Sequence, residues 1–277
     1  MSCTAKKLFP LLLFVLLSVS AKGNWLDLEP GLELGFFNGY WNPDVGDSRI
    51  KILRINPAYF EFKLFNTSAQ NEDVLLTARQ WSQKEQLVAV INASMYRQDF
   101  KTSVSYMRTE THINNPYLSK DKTILAFGKT RPEVPDVMII DRQCDSFDQW
   151  KGIYTTFVQS IRMISCRGKN VWSPQSKKSS IAAIAVDSGG NVLFIHSKLP
   201  YSTHEFINHL MVLPLEINRA MYGEGGPEAQ LYIQSGSHEY EFTGVLEESS
   251  PGFQMNFKAS PIPNVVGIFR KLQPDSE

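Results

Sequence analysis

Glu224 and Glu228 stand in the run Gly223-Glu224-Gly225-Gly226-Pro227-Glu228. A carboxylate between glycines can lie where backbone and substrate approach closely, because glycine adopts conformations closed to other residues. Two such acids could form a catalytic acid pair. A surface turn with solvated glutamates uses the same residues, and spacing alone does not choose between the two. The five histidines are His112, His196, His204, His209 and His238. His204 and His209 fall on one expected helix, but five residues apart puts them on different faces, so no two-histidine metal site is expected. Signatures of dinucleotide, phosphate-loop, zinc-protease and serine-hydrolase chemistry are absent from the sequence, and no cofactor or metal is expected.

The chain has 277 residues, 28 Lys+Arg against 28 Asp+Glu, and 43% hydrophobic residues, the balance of a globular protein. Its formal charge of zero leaves no basic field for a phosphate backbone, so nucleic acid is not an expected partner. Lys6 and Lys7 precede an apolar run over 8–19, followed by Ser18, Ser20 and Ala21. This is the pattern of a secretory signal, with cleavage expected after Ala21 and no stable membrane span afterwards. Export would remove Cys3 and leave Cys144 and Cys166, which either bridge or remain two reduced thiols. Asn66 and Asn92 head glycosylation sequons that matter only in a glycosylating host.

The elements that must position Glu224 follow from hydrophobic periodicity. Residues 25–47 read as irregular, while 50–56 and 59–65 alternate around Pro57 like an antiparallel hairpin. A short helix is predicted over 78–85 and a strand buried on both faces over 87–92. Further strands are predicted over 123–127, 137–141, 160–165, 181–187 and 192–196, the last two joined by the turn Ser188-Gly189-Gly190-Asn191. Ser202 and Glu205 form a capping-box pattern that opens a helix ended by Pro214. Residues 216–221 suggest a short turn or the start of a strand, and strands over 229–234, 239–245 and 265–269 close the chain. Many strands and few helices give an α+β class, a single domain with a mixed β-sheet core.

The order of several segments resembles the phosphodiester glycosidase family. These are Val90-Ile91-Asn92-Ala93, Ser160-Ile161-Arg162-Met163-Ile164, Ala183-Ile184-Ala185-Val186-Asp187 with its glycine turn, Glu224-Gly225-Gly226-Pro227-Glu228-Ala229-Gln230-Leu231-Tyr232, and Pro261-Ile262-Pro263-Asn264. The resemblance is to an exported bacterial subgroup, and it implies a signal at 1–21, an N-terminal segment at 22–85 whose strands pack on the domain, and a glycosidase-like domain at 86–270. It further implies hydrolysis of a sugar 1-phosphodiester at the bond to the anomeric carbon. Glu224 would be nucleophile or general base, Arg162 a phosphate clamp and Asn92 a holder of sugar hydroxyls, with Gly225, Gly226 and Glu228 beside the substrate and Asp187 structural. Most of the family carries an aspartate where this chain has Glu224, which keeps the carboxylate, and two further positions depart from the pattern: Ile181 stands where an arginine is common, and Ala93-Ser94 where an alanine–glycine pair is common. Those departures favour the alternative, an exported carbohydrate-binding protein of impaired activity on the same fold.

Overall fold

The computed structural model describes residues 24–39, 47–70, 74–245 and 259–272. The expected signal at 1–21 lies outside the described residues. The chain begins with the hairpin β1 (Asn24–Glu29) and β2 (Leu32–Phe37), then β3 (Ile50–Ile55) and β4 (Phe60–Asn66). Helix α1 (Ala78–Glu85) precedes β5 (Ala89–Asn92), β6 (Met107–Arg108), β7 (Ile113–Asn115), β8 (Thr123–Lys129) and β9 (Val137–Asp141). After the short α2 (Phe147–Trp150) come β10 (Tyr154–Ser160), β11 (Arg162–Ile164), β12 (Ser179–Asp187) and β13 (Val192–Tyr201). Helix α3 (Thr203–Val212) leads to β14 (Ile217–Gly225), β15 (Gln230–Ser235), β16 (His238–Thr243) and β17 (Asn264–Arg270).

These strands form three sheets, ordered β1-β2-β3-β13-β12-β14-β11, β7-β6-β10-β8-β9 and β16-β15-β5-β17-β4. The single-domain α+β class is what the structure has, with the core divided among three sheets whose described pairings are antiparallel rather than mixed. One buried cluster runs through all three, from Leu34 and Leu53 through Ile91 and Leu231 to Leu125 and Val158. A second fills the other face of the seven-stranded sheet, where Phe206, Ile207 and Leu210 of α3 meet Ala183 and Ile195. Among the described residues no helix is long and apolar enough to cross a membrane.

Two expectations are corrected. The segment read as irregular contains the β1–β2 hairpin, turned at Pro30-Gly31, where Gly31 adopts φ +78° and supplies the left-handed step. Strands β3 and β4 do not pair with each other. β3 has both edges taken, by β2 and β13, so the chain at Pro57 crosses to the sheet in which β4 pairs β17. Helix α1 has the predicted bounds. Its start is fixed by a reciprocal cap, the Gln80 amide donating to Thr77 Oγ1 (3.3 Å) and the Thr77 amide to Gln80 Oε1 (2.9 Å). Both sequon asparagines are buried, Asn66 at 1% exposure and Asn92 at 2%.

Cys144 and Cys166 form a disulfide with a Cα–Cα separation of 6.5 Å. Trp81 anchors α1 over β5 and β17, fully buried against Phe65, with its Nε1 donating to the Ile262 carbonyl at 2.9 Å. Trp81→Ala leaves a large cavity and an unpaired carbonyl, and is expected to lower unfolding free energy by about 3–5 kcal/mol in urea titration.

Candidate active site

Glu224 sits near the end of β14, opposite Ala182 of β12, just past an irregularity in the pairing that makes Gly223 an extra residue. Glycine is required there by space, since a Cβ at 223 would lie 2.9 Å from the Ala182 carbonyl oxygen and 3.2 Å from that of Asn92. A side chain at Gly225 would collide with the Tyr222 hydroxyl. Gly226 has φ +69° and opens a single 3-10 turn, Gly226–Glu228, that folds Glu228 back, its carboxylate passing beside the Gly226 α-carbon.

The turn is held from behind. Asn92, at the end of β5, donates from Nδ2 to the Glu228 carbonyl (2.9 Å) and accepts the Gln230 amide on Oδ1 (2.7 Å). Buried His196 bonds the Ala229 carbonyl through Nε2 at 3.1 Å. Burial lowers the His196 pKa to about 3, so the ring is neutral and Nε2 carries the donated proton.

Glu224 is half-buried, and burial is the main reason its carboxyl pKa rises to about 7. The Gly225 amide, donating to Glu224 Oε1 at 3.0 Å, works against the rise, and the charge of Glu228 adds to it. Two tyrosines share this field. Burial and the charges of Glu228 and Glu224 raise the Tyr96 hydroxyl, and burial with Glu224 raises that of Tyr222, which is also hydrogen-bonded to Ser179. Trp172 packs on the Tyr222 ring with centroids 5.4 Å apart. At neutral pH the group can therefore either give or take a proton, the property required of an acid–base catalyst.

The residues named from the sequence separate into three places. Glu224, Gly225, Gly226, Glu228 and Asn92 come together, but Asn92 spends both ends of its amide on main chain and so positions Glu228 rather than presenting an amide to a sugar. Arg162, on β11, turns its Nη1 to both oxygens of fully buried Asp141, at 2.8 and 2.9 Å. No cation is among the groups that move Glu224. Asp187 is structural, accepting the amide (2.8 Å) and the side chain (2.9 Å) of Asn191, but it lies five residues along β12 from Ala182, roughly 16 Å away. Ile181 is wholly buried opposite Gly225, and Ser94 donates its hydroxyl to the Gln159 carbonyl at 3.1 Å. Tyr96 and Tyr222 were not identified from sequence, where an isolated tyrosine near or within a strand has the same signature as a core residue.

Potential metal ligands among the described residues group at Asp141, Cys144 and Cys166, whose sulfurs are already joined to each other. Among the described residues, open concavities of about 430–690 Å³ lie elsewhere and are not lined by Glu224, Glu228 or Tyr96.

The raised Glu224 carboxyl fixes a sign for stability. Its folded pKa near 7 lies above the ordinary 4.5, so the stabilisation belongs to the protonated form. That contribution is complete below pH 4.5 and is lost as pH climbs through 7. Glu224→Gln is thus expected to match the parent in urea stability at pH 4.5 and to exceed it by about 2–3 kcal/mol at pH 8.

A profile of the phosphodiester glycosidase family matches residues 85–269, well over half of the chain. No curated protein sequence matches it. Among solved structures, a hypothetical protein from Synechocystis is similar with TM-score 0.58 at 12% identity, over 87% of this chain; the match spans only 62% of that protein. The catalytic domain of zebrafish N-acetylglucosamine-1-phosphodiester α-N-acetylglucosaminidase, auto-inhibited by its pro-peptide, is similar with TM-score 0.60 at 10% identity, over 88% of this chain and 85% of that one. At such identities the two structures bear on the fold, while the profile covers β5, β14 and the Glu224 turn, and by that match the chain belongs to the phosphodiester glycosidase family.

Proposed function

We propose that the protein hydrolyses the glycosidic bond of a sugar 1-phosphodiester. The observation that carries this reading is the Glu224 carboxyl, raised to about 7 beside Glu228 within the region matched to the family. A phosphate ester leaves readily without being protonated, so the demanding task is delivery of water to an oxocarbenium-like anomeric carbon. Ionised Glu224 takes a proton from that water as its oxygen bonds to the anomeric carbon. The bond from that carbon to the ester oxygen breaks, and the phosphate departs with the electron pair. A base with a pKa near the working pH suits this step, and Glu228 keeps Glu224 basic by its charge. Gly225 fits under the Tyr222 hydroxyl, Gly226 supplies the left-handed step that folds Glu228 back, and Asn92 holds the turn.

The phosphate contact assigned to Arg162 is the weak point, because Asp141 already neutralises that guanidinium. The exposed Arg97, which directly follows Tyr96, is the cation we propose in its place, because the Tyr96 hydroxyl lies in the field of Glu224 and Glu228. The Arg162–Asp141 pair and the buried Ile181 are the observations that favour the second reading, carbohydrate binding without turnover on the same fold.

Export to a periplasm or the medium belongs to the same proposal. It is supported by the signal-like start of the sequence and by the Cys144–Cys166 bridge, a bond that persists in oxidising compartments.

The test is a comparison of N-acetylglucosamine, glucose and mannose 1-phosphodiesters with neutral aryl glycosides of the same sugars. At least one phosphodiester is expected to be cleaved faster than its neutral counterpart, and Glu224→Gln to slow it about 10²–10⁴-fold. As Glu224 acts ionised, kcat/KM should climb with pH up to about 7 and then level. Saccharide binding with no turnover across the panel would establish the second reading instead.

A further inference from the structure

Residues 95–104, between β5 and β6, double back as a short arm. The Val104 amide donates to the Met95 carbonyl (3.1 Å), the Arg97 amide donates to the Thr102 carbonyl (2.7 Å), and Tyr96 bridges Ser103. Asp99 ties the tip by accepting the Thr102 amide (2.9 Å), the Thr102 hydroxyl (2.6 Å) and the Lys101 amide (3.1 Å). Three asparagines fasten the stem to the body: Asn114 and Asn264 donate to the Lys101 carbonyl at 2.9 and 3.2 Å, and Asn115 donates to the Ser103 carbonyl at 2.7 Å. With so many bonds to its backbone, the arm is a built feature.

At its tip Phe100 has φ +54° and is 49% exposed. A large aromatic in the left-handed region is strained, and with half of its surface exposed little burial offsets that strain. The ring is not isolated, for it lies 5.6 Å from that of Tyr96 at an interplanar angle of 45°. Tyr96 connects the tip to the carboxyl pair: it follows by four residues Asn92, whose Nδ2 donates to the Glu228 carbonyl at 2.9 Å, and its hydroxyl lies in the field of both Glu228 and Glu224. An aromatic surface beside paired carboxyls, on an arm whose neighbouring Arg97, Gln98 and Asp99 are exposed and polar, has the make-up of a saccharide subsite. The C–H face of a pyranose packs on the rings while its hydroxyls bond the polar groups around them.

We infer that Tyr96 and Phe100 form a stacking platform for a sugar ring adjoining the Glu224–Glu228 pair, and that the platform determines which saccharides the site accepts. This rests on the reading of the site as one that handles sugars. The test uses the Glu224→Gln protein, so that binding is measured without turnover. Chitohexaose, maltohexaose, cellohexaose and the three sugar 1-phosphodiesters are titrated by calorimetry. At least one is expected to bind, with affinity falling about tenfold on adding Phe100→Ala and staying within about twofold on adding Phe100→Tyr. Phe100→Asn separates recognition from folding, because asparagine tolerates this φ: melting temperature should rise by about 2 °C while binding falls as it does with alanine. Unchanged affinity in Phe100→Ala, or no binding of any of these saccharides, overturns the inference. Platform-dependent binding in a protein that turns over nothing would retain it and remove the hydrolase reading, whereas turnover with Phe100-independent binding would do the reverse.

Discussion

The side chain of Asn92 is the point on which the geometry around Glu224 depends. It closes β5, bonds the carbonyl of Glu228 and the amide of Gln230, and is buried while doing so. Its main-chain carbonyl and, more closely, that of Ala182 crowd position 223, so β14 passes between them by way of a glycine. The Gly226–Glu228 turn that follows is held to β5 by the asparagine side chain. A buried amide with both ends satisfied is rigid, because breaking either bond leaves an unpaired group out of reach of water. The main chain from which Glu228 projects toward Glu224 is thereby held in place.

Arginine placement separates this protein from a simple phosphate-clamp design. Asp141 collects Arg162, the Gln143 amide (3.0 Å) and the Cys166 amide (3.0 Å) at the end of β9, next to the disulfide. The arrangement joins the five-stranded β7–β9 sheet to β11, and with it to β14, so the guanidinium contributes cohesion between sheets. A buried carboxylate with its cation removed is costly, which makes Arg162 dependent on Asp141 as much as the reverse.

Much of the fold was legible. Helix α1 and strand β9 have their predicted bounds, and the β12–β13 hairpin was readable from its Ser-Gly-Gly-Asn turn. Local patterning does not say which sheet a strand joins, which is why β3 and β4 looked like partners across Pro57. Strands β6 and β7 are too short, at 2 and 3 residues, to show a period at all. At the site, the glutamates and glycines were visible because glycine runs around an acid are unusual. The tyrosines were not, because their role comes from the arm after β5 and the end of β14 converging from 126 positions apart, as Tyr96 and Tyr222 do. Arg162 was picked out by its segment, but its ion pair was not, since no local pattern reveals that Asp141 of a different sheet lies within reach of its side chain.

The burial of Asn66 and Asn92 bears on how the protein can be made. Asn66 donates to Asn264 Oδ1 (2.7 Å), and Asn92 holds the acid turn, so neither amide can carry a glycan in the folded chain. In a secretory pathway that glycosylates, both sequons would be offered to the transferase while the polypeptide is still extended. A sugar added then would be lodged at a junction of strands with no volume to accept it, and the modified chains would be diverted from folding. Heterologous production in eukaryotic cells would thus divide the product by modification history, whereas bacterial export gives a single population.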